Sequence, residues 1–142
     1  MMALGPKGRA LIQSFESLRL QAYQDQRGIW TIGWGHTTGV VPYQTCSASD
    51  ADDWFTQDTQ TAVNAVNRTT DVPLSQEQFD ALVSFTFNVG QTAEAHSTLL
   101  SLVNQSDFTG AAAEFEKWDH VNGVPNAGLL RRRQAERDLF LS

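Results

Sequence analysis

The 142-residue chain has a single cysteine, Cys46, so no disulfide can form within it and stability must come from packing. Nothing near Cys46 in sequence supplies the histidine or polar pocket an activated thiol needs, and it reads as a small buried or half-buried apolar residue. No apolar run approaches the roughly 20 residues required to span a bilayer. The N-terminus, Met1-Met2-Ala3-Leu4-Gly5-Pro6-Lys7-Gly8-Arg9, lacks the apolar core and cleavage pattern of a signal peptide. A product of the cytoplasm with no membrane insertion is therefore expected, one that something else must release if it acts outside the membrane. His36, His96 and His120 are scattered, and no His, Cys and Asp set has zinc-ligand spacing, so no metal or other cofactor is expected. Positive charge is scarce: 10 Lys and Arg against 16 Asp and Glu leave a net charge of −6. Residues 50–119 hold two basic residues against twelve acids, while residues 1–31 and 131–142 each carry four basic residues and two acids. An acidic middle with basic ends excludes the overall basic character of a nucleic-acid binder, and leaves open a locally basic surface where the termini meet.

Apolar content is ample. The hydrophobic fraction is 41%, with four Trp, two Tyr and eight Phe, enough for a packed core. Pro6 suits the first position of a helix, and Ala10, Leu11, Phe15 and Leu18 continue it at helical spacing to an end near Leu18–Leu20. From Tyr23 to Val41 the composition turns to Gly, Thr, Trp and Ile, which predicts a small antiparallel ribbon. Ser47-Ala-Ser-Asp50 and Ser75-x-x-Gln78 are capping boxes that open helices. The first of these is expected over Ala48 to Asn67. The second, through Phe79 to Val89 with a stop at Gly90, is apolar enough to be the central buried helix. Shorter helices are expected near Ser97–Val103 and Phe108–Trp118, then a loop over Asn122–Gly128 and a last helix from Leu129 to Leu141. The fold class is α+β, mainly α, in one 142-residue domain. A small β-ribbon lobe (about residues 20–45) follows the first helix, a larger helical lobe makes up the remainder, and a ligand cleft is expected between them.

Glu16, Asp25 and Thr31 bracket the junction of the first helix and the ribbon. Two carboxylates across a cleft are what glycoside hydrolysis requires: one protonated and donating to the leaving oxygen, the other ionised and either holding a water or attacking the anomeric carbon. Phe15, Leu18 and Tyr23 are placed to desolvate Glu16, and desolvation raises a carboxyl pKa. Asp25, with Arg27 nearby, is expected to stay ionised, with the Thr31 hydroxyl helping it position a water. Spacing alone leaves solvated surface acids as the simpler alternative.

The stretch Phe15-Glu-Ser-Leu-Arg-Leu-Gln-Ala-Tyr-Gln-Asp-Gln-Arg-Gly-Ile-Trp-Thr-Ile-Gly-Trp-Gly-His-Thr37 resembles the signature of the phage-type lysozymes, glycoside hydrolase family 24: a Glu, an Asp nine residues on, a Thr six further, then Gly-x-Gly-His. Gln78–Gly90, Ser97-Thr-Leu-Leu, Gly110–Trp118 and Gly128-Leu-x-x-Arg-Arg-x-x-Glu136 resemble the family's later segments in order. The resemblance implies a lysozyme-like fold and hydrolysis of the β-1,4 bond between N-acetylmuramic acid and N-acetylglucosamine. It makes Glu16 the general acid, Asp25 the carboxylate that activates water or stabilises the cationic transition state, and Thr31 an assistant on the water side. It favours inversion of configuration. It also implies Thr37 and Phe87 as saccharide contacts, with core packing the alternative for Phe87, a peptidoglycan glycan strand as partner and a monomer. Many members carry an N-terminal apolar export segment, absent here, so the expected route is synthesis in the bacterial host cytoplasm and release to the wall through a holin-type pore.

The remaining residues have plainer readings. In the family His36 tends to be structural, tying ribbon to helix. Trp30 and Trp34 suit ribbon packing, with sugar stacking the alternative. Arg131, Arg132, Arg133 and Arg137 are most simply a solvated, salt-bridged helix face; the sharper reading sends one or two of them to the acidic stem peptide. The sequence pI of about 4.8 argues against strong attraction to an anionic cell surface. Rival readings are a non-catalytic wall-binding module of the same fold and a lytic transglycosylase. A virion-borne or secreted lysozyme would share the chemistry.

Overall fold

The computed structural model describes all 142 residues. The elements follow in the order α1 (Pro6–Glu16), β1 (Arg19–Gln24), β2 (Trp30–Gly33), α2 (Ala48–Thr69), α3 (Gln76–Val89), α4 (Gln91–Ala95), α5 (Thr98–Asn104), α6 (Phe108–Glu114), a 3-10 turn (Phe115–Lys117), β3 (His120–Val121), β4 (Val124–Pro125) and α7 (Ala127–Leu141). This is a mainly helical α+β arrangement with its ribbon after the first helix. By contact the chain forms two units: Ile12–Gln60, and Met1–Leu11 together with Thr61–Ser142.

Within Ile12–Gln60, α1 stops at Glu16, short of the expected Leu18–Leu20. Ser17 takes a left-handed φ of 54°, which a helix cannot continue through, and Leu18 and Leu20 turn outward, 38% and 45% exposed. β1 and β2 run antiparallel with Arg19 opposite Gly33, Tyr23 opposite Thr31 and Gln24 opposite Trp30, and a bulge lies between Arg19 and Tyr23. The other edge of β1 is also paired: Ala22 N–H donates to Gln44 O (2.8 Å) and Cys46 N–H to Leu20 O (3.0 Å). The ribbon therefore begins earlier and ends later than the Tyr23–Val41 stretch. Ser47 and Asp50 close a reciprocal cap on α2, with Asp50 N–H on Ser47 Oγ (3.0 Å) and Ser47 N–H on Asp50 Oδ2 (3.2 Å). Ile12, Ile32, Ala51 and Phe55 form the buried apolar set of this unit.

In the other unit, α3 is the central helix. Ser75 and Gln78 make the capping box, Gly90 at φ 97° ends the helix, and Phe79, Leu82, Val83 and Phe85 are fully buried. Buried Asp80 accepts from the N–H groups of Gly5 (2.9 Å) and Gly8 (3.2 Å), which anchors the start of α1. Two elements depart from expectation. Gln91–Ala95 forms a one-turn helix, too short to show a period. The expected loop from Asn122 holds a hairpin, β3–β4, whose turn residues Asn122 (φ 50°) and Gly123 (φ 79°) are the left-handed pair that an Asn-Gly turn supplies.

The arginine face of α7 also needs correction. Arg132 and Arg133 are buried, 4% and 1% exposed, beside Glu136 at 0%. Arg133 donates to Glu136 Oε1, to Asn88 Oδ1 and to Trp118 O (3.0 Å), and its guanidinium lies 5.2 Å from the centre of the Phe85 ring. Ser84 Oγ donates to Glu136 Oε2 at 2.6 Å. These charges serve the packing of α7 against α3; Arg131 alone is exposed, and Arg137 is half-buried and paired with Glu116 and Asp138.

Candidate active site

All three residues singled out for catalysis lie in the Ile12–Gln60 unit. Glu16 is the last residue of α1, half-buried. Its carboxylate lies against the turn that follows β2: a Cβ placed on Gly35 would stand 2.7 Å from Glu16 Oε2. Gly35 also has φ +86°, so its missing side chain serves both the turn and the approach of Glu16. The flanking Phe15 and Leu18 are 37% and 38% exposed, so they leave Glu16 less enclosed than the sequence suggested.

The turn is held by α2. Ile32 and His36 exchange both main-chain hydrogen bonds (2.9 and 2.8 Å), closing the loop between them. His36 Nδ1 meets Asp58 Oδ2 at 2.8 Å, and its ring stacks on Trp54 with centroids 4.7 Å apart and planes within 8°. His36 is thus the structural tie between ribbon and helix. Trp34 Nε1–H donates to Asp52 Oδ1 (3.0 Å), and its ring meets Phe55 edge-on at 6.5 Å, so Trp34 has a packing role. A Cβ on Gly33 would sit 3.2 Å from Ala51 Cβ, which sets how closely β2 approaches α2.

Asp25 occupies the tight turn between β1 and β2. Its Oδ1 accepts from Arg27 N–H (2.8 Å) and Ile29 N–H (3.0 Å), and its Oδ2 lies 3.2 Å from Arg27 Nη2. The Ile29 N–H, foremost, and then the Arg27 main chain and guanidinium hold the Asp25 carboxyl below the usual carboxylate range. Asp25 is therefore the ionised carboxylate. Thr31 is buried on β2, and its hydroxyl donates to Ile29 O at 2.9 Å. The same Ile29 carbonyl accepts from Asp25 N–H (2.9 Å). One peptide segment thus orients both Asp25 and Thr31, and the Thr31 oxygen, having donated its proton, keeps lone pairs for an acceptor role.

Thr37 follows His36 and is exposed, whereas Phe87 lies half-buried near the C-terminal end of α3, in the other unit. Cys46 is half-buried, and burial pushes its thiol pKa up, the opposite of an activated nucleophile. No group of three or more His, Cys, Asp or Glu is arranged to hold a metal ion. Sequence reasoning missed the anchors of the turn, Asp52, Trp54 and Asp58. A signal was present: a histidine beside a strand requires a partner, and α2 carries acids on successive turns.

The phage lysozyme family model matches residues 13–136. The endolysin of Acyrthosiphon pisum secondary endosymbiont phage 1 is 43% identical, with 99% of each chain covered. Among solved structures, the muramidase domain of SpmX from Asticaccaulis excentricus is 42% identical with a TM-score of 0.93, covering 100% of this chain and 99% of that one. The endolysin from Escherichia coli O157:H7 phage FAHEc1 is 38% identical with a TM-score of 0.95, covering 99% and 94%. The match runs through the helix, ribbon and turn that carry Glu16, Asp25, Thr31 and Gly35, and this chain belongs to the phage lysozyme family.

Proposed function

We propose that this chain is an endolysin-type muramidase, a glycoside hydrolase that cuts the β-1,4 bond between N-acetylmuramic acid and N-acetylglucosamine in peptidoglycan and so lyses the bacterial host. The observation that supports the reading is that one unit carries a half-buried Glu16, backed by the Gly35 turn, and an Asp25 kept ionised by Ile29 and Arg27. Glu16 in its acid form protonates the glycosidic oxygen as that bond breaks. Positive charge then develops on the anomeric carbon and ring oxygen, and the Asp25 carboxylate stabilises it or takes a proton from the incoming water. The Thr31 oxygen accepts a hydrogen bond from that water, which favours inversion. The water oxygen ends on the anomeric carbon, and the leaving sugar keeps the proton Glu16 gave it. Thr37 and Phe87 contact the saccharide.

The whole chain serves as one catalytic domain and acts as a monomer on the cell wall. No helix is long and apolar enough to cross a membrane, which is compatible with synthesis in the host cytoplasm and release through a holin-type pore. Mass spectrometry of peptidoglycan digests tests the chemistry. Wild type should release reducing muramic-acid ends, and a folded Glu16→Gln variant should release none. Anhydro-muramic ends would overturn the role of Asp25 in favour of a transglycosylase, and no cleavage by a folded wild type would mark a binding module.

A further inference from the structure

Peptidoglycan is an acidic polymer: each muramic acid carries on its 3-lactyl arm either a free carboxylate or a stem peptide rich in carboxylates. The arginines of α7 that the sequence offered as their receptor are taken. Arg132 and Arg133 serve Glu136, and Arg137 serves Glu116 and Asp138. In the ribbon unit Arg27 is paired with Asp25. Arg19 is different. It is exposed, and its guanidinium lies 4.3 Å from the centre of the Tyr23 ring, with no carboxylate beside it. Arg131 is also exposed, but no ring or acid holds it in one place.

The position of Arg19 follows from the strand register. Tyr23 is directly opposite Thr31, and directly opposed residues of an antiparallel pair share a face. The bulge between Arg19 and Tyr23 lets the guanidinium fold back over that ring. Arg19 itself is opposite Gly33, the first glycine of the turn whose second glycine, Gly35, meets Glu16. Arg19 thus lies along the ribbon beside the catalytic residues, on the face of Thr31. Stacking on an aromatic ring fixes a guanidinium plane without neutralising it, which leaves its forked donors directed at a ligand. In a chain with a net charge of −6, a cation held over a ring and not neutralised by a neighbouring acid is open to an anion from outside.

We propose that Arg19 is a specificity-determining residue that binds a carboxylate on the muramoyl side arm, with Tyr23 as the platform that orients it. The proposal rests on the muramidase reading, so its test is a binding measurement independent of turnover. Soluble glycan-strand oligomers bearing stem peptides are titrated into Glu16→Gln and into the double variant Glu16→Gln/Arg19→Gln, both checked for folding by circular dichroism. The double variant should bind about tenfold more weakly, the usual effect of losing one charge-assisted hydrogen bond at a wet surface. On oligomers whose carboxylates have been converted to amides, the two proteins should bind equally. Arg19→Lys in the same background should retain an intermediate affinity, because it keeps the charge and loses the fork. Oligomers stripped of stems by an amidase, which frees the lactyl carboxylate, show how far the recognition extends: a persisting difference means that Arg19 takes the carboxylate of either arm, and a vanished one restricts it to the stem peptide. An Arg19 effect of equal size on native and amidated oligomers, or no effect on either, would overturn the proposal. Failure of the muramidase reading would appear elsewhere, in the products of the wild type.

Discussion

Replacing Gly35 by alanine separates backbone strain from displacement of Glu16. The residue has φ +86°, and a side chain there costs about 1–2 kcal/mol of left-handed strain. For a chain of this size that lowers Tm by about 5 °C. The new Cβ would also stand 2.7 Å from Glu16 Oε2, where ordinary contacts begin at 3.4 Å, so the oxygen must move by about 0.7 Å. A flexible carboxylate yields at little energetic cost, and the fold survives. Catalysis does not tolerate the shift as well, since misplacement of a reacting group by an ångström costs on the order of 100-fold in rate. The expected outcome is a folded protein that has lost about 30- to 100-fold in kcat. Gly123→Ala is the matched control: φ there is +79°, nothing lies within 4 Å of the place its Cβ would take, and it sits in the β3–β4 hairpin. It should lose similar stability and keep full activity. Initial rates of wall clearing, set beside thermal unfolding by circular dichroism, give both numbers. Equal activity in the two variants would refute the placement of Glu16 against the turn.

Asp25 is held ionised by Ile29 first and Arg27 second, so its folded pKa lies below the ordinary one and its charge is lost only as pH falls through that lower value. Arg27→Ala should move the acid limb of the kcat/KM profile to higher pH, part of the way back to an unassisted carboxyl, and an unmoved limb would count against Asp25 as the ionised partner. Glu94 is buried, with no partner for Oε2, and its pKa is raised, chiefly by burial. The Thr69 hydroxyl lies 2.9 Å from Ala65 O and 2.7 Å from Glu94 Oε1, and its one proton can serve both contacts only when Glu94 is itself protonated and donates. Because the folded pKa is the higher one, the stability Glu94 contributes is fully present below its unfolded pKa and is lost as pH rises through the folded value. Glu94→Gln should therefore raise Tm more at pH 7 than at pH 4, and parallel Tm–pH curves would contradict this. Arg133→Met leaves Glu136 without its closest cation and Trp118 O and Asn88 without a donor, which should cost about 3–5 kcal/mol in urea unfolding. A loss under about 1 kcal/mol would mean that the buried network contributes little.

Features made by neighbours in sequence were legible, and features made by distant pairing were not. Ser47, Ser75 and Gly90 act on main-chain groups within four residues, so two helix starts and one stop were readable directly. The end of α1 was not, because Leu18 and Leu20 prolong an apolar pattern while Ser17 turns the chain into a strand. In the site, the residue types and spacing of Glu16, Asp25 and Thr31 suggested a constellation, and the structure adds how each is held. Asp25 lies four residues from Ile29 and Thr31 two, so their shared peptide is a local fact. Glu16 meets Gly35, on the far side of the whole ribbon in sequence, only because α2 fastens the turn through Asp52, Trp54 and Asp58, which is a tertiary fact.

The four arginines of α7 show why charge pattern alone misleads. On a bare helix Arg132 and Arg133 are as well solvated as Arg131, and nothing in α7 sets them apart. What does is α3, which brings Ser84, Phe85 and Asn88 to that face and lets Glu136 be buried at no exposure. A buried carboxylate is tolerated only with cations and donors around it, so burying Glu136 draws both arginines inward with it. Buried there, they are withdrawn from an acidic substrate. Any recognition of substrate carboxylates must come from a cation the packing does not consume, and Arg19, held by a ring rather than by an acid, meets that condition within the unit that carries Glu16, Asp25 and Thr31.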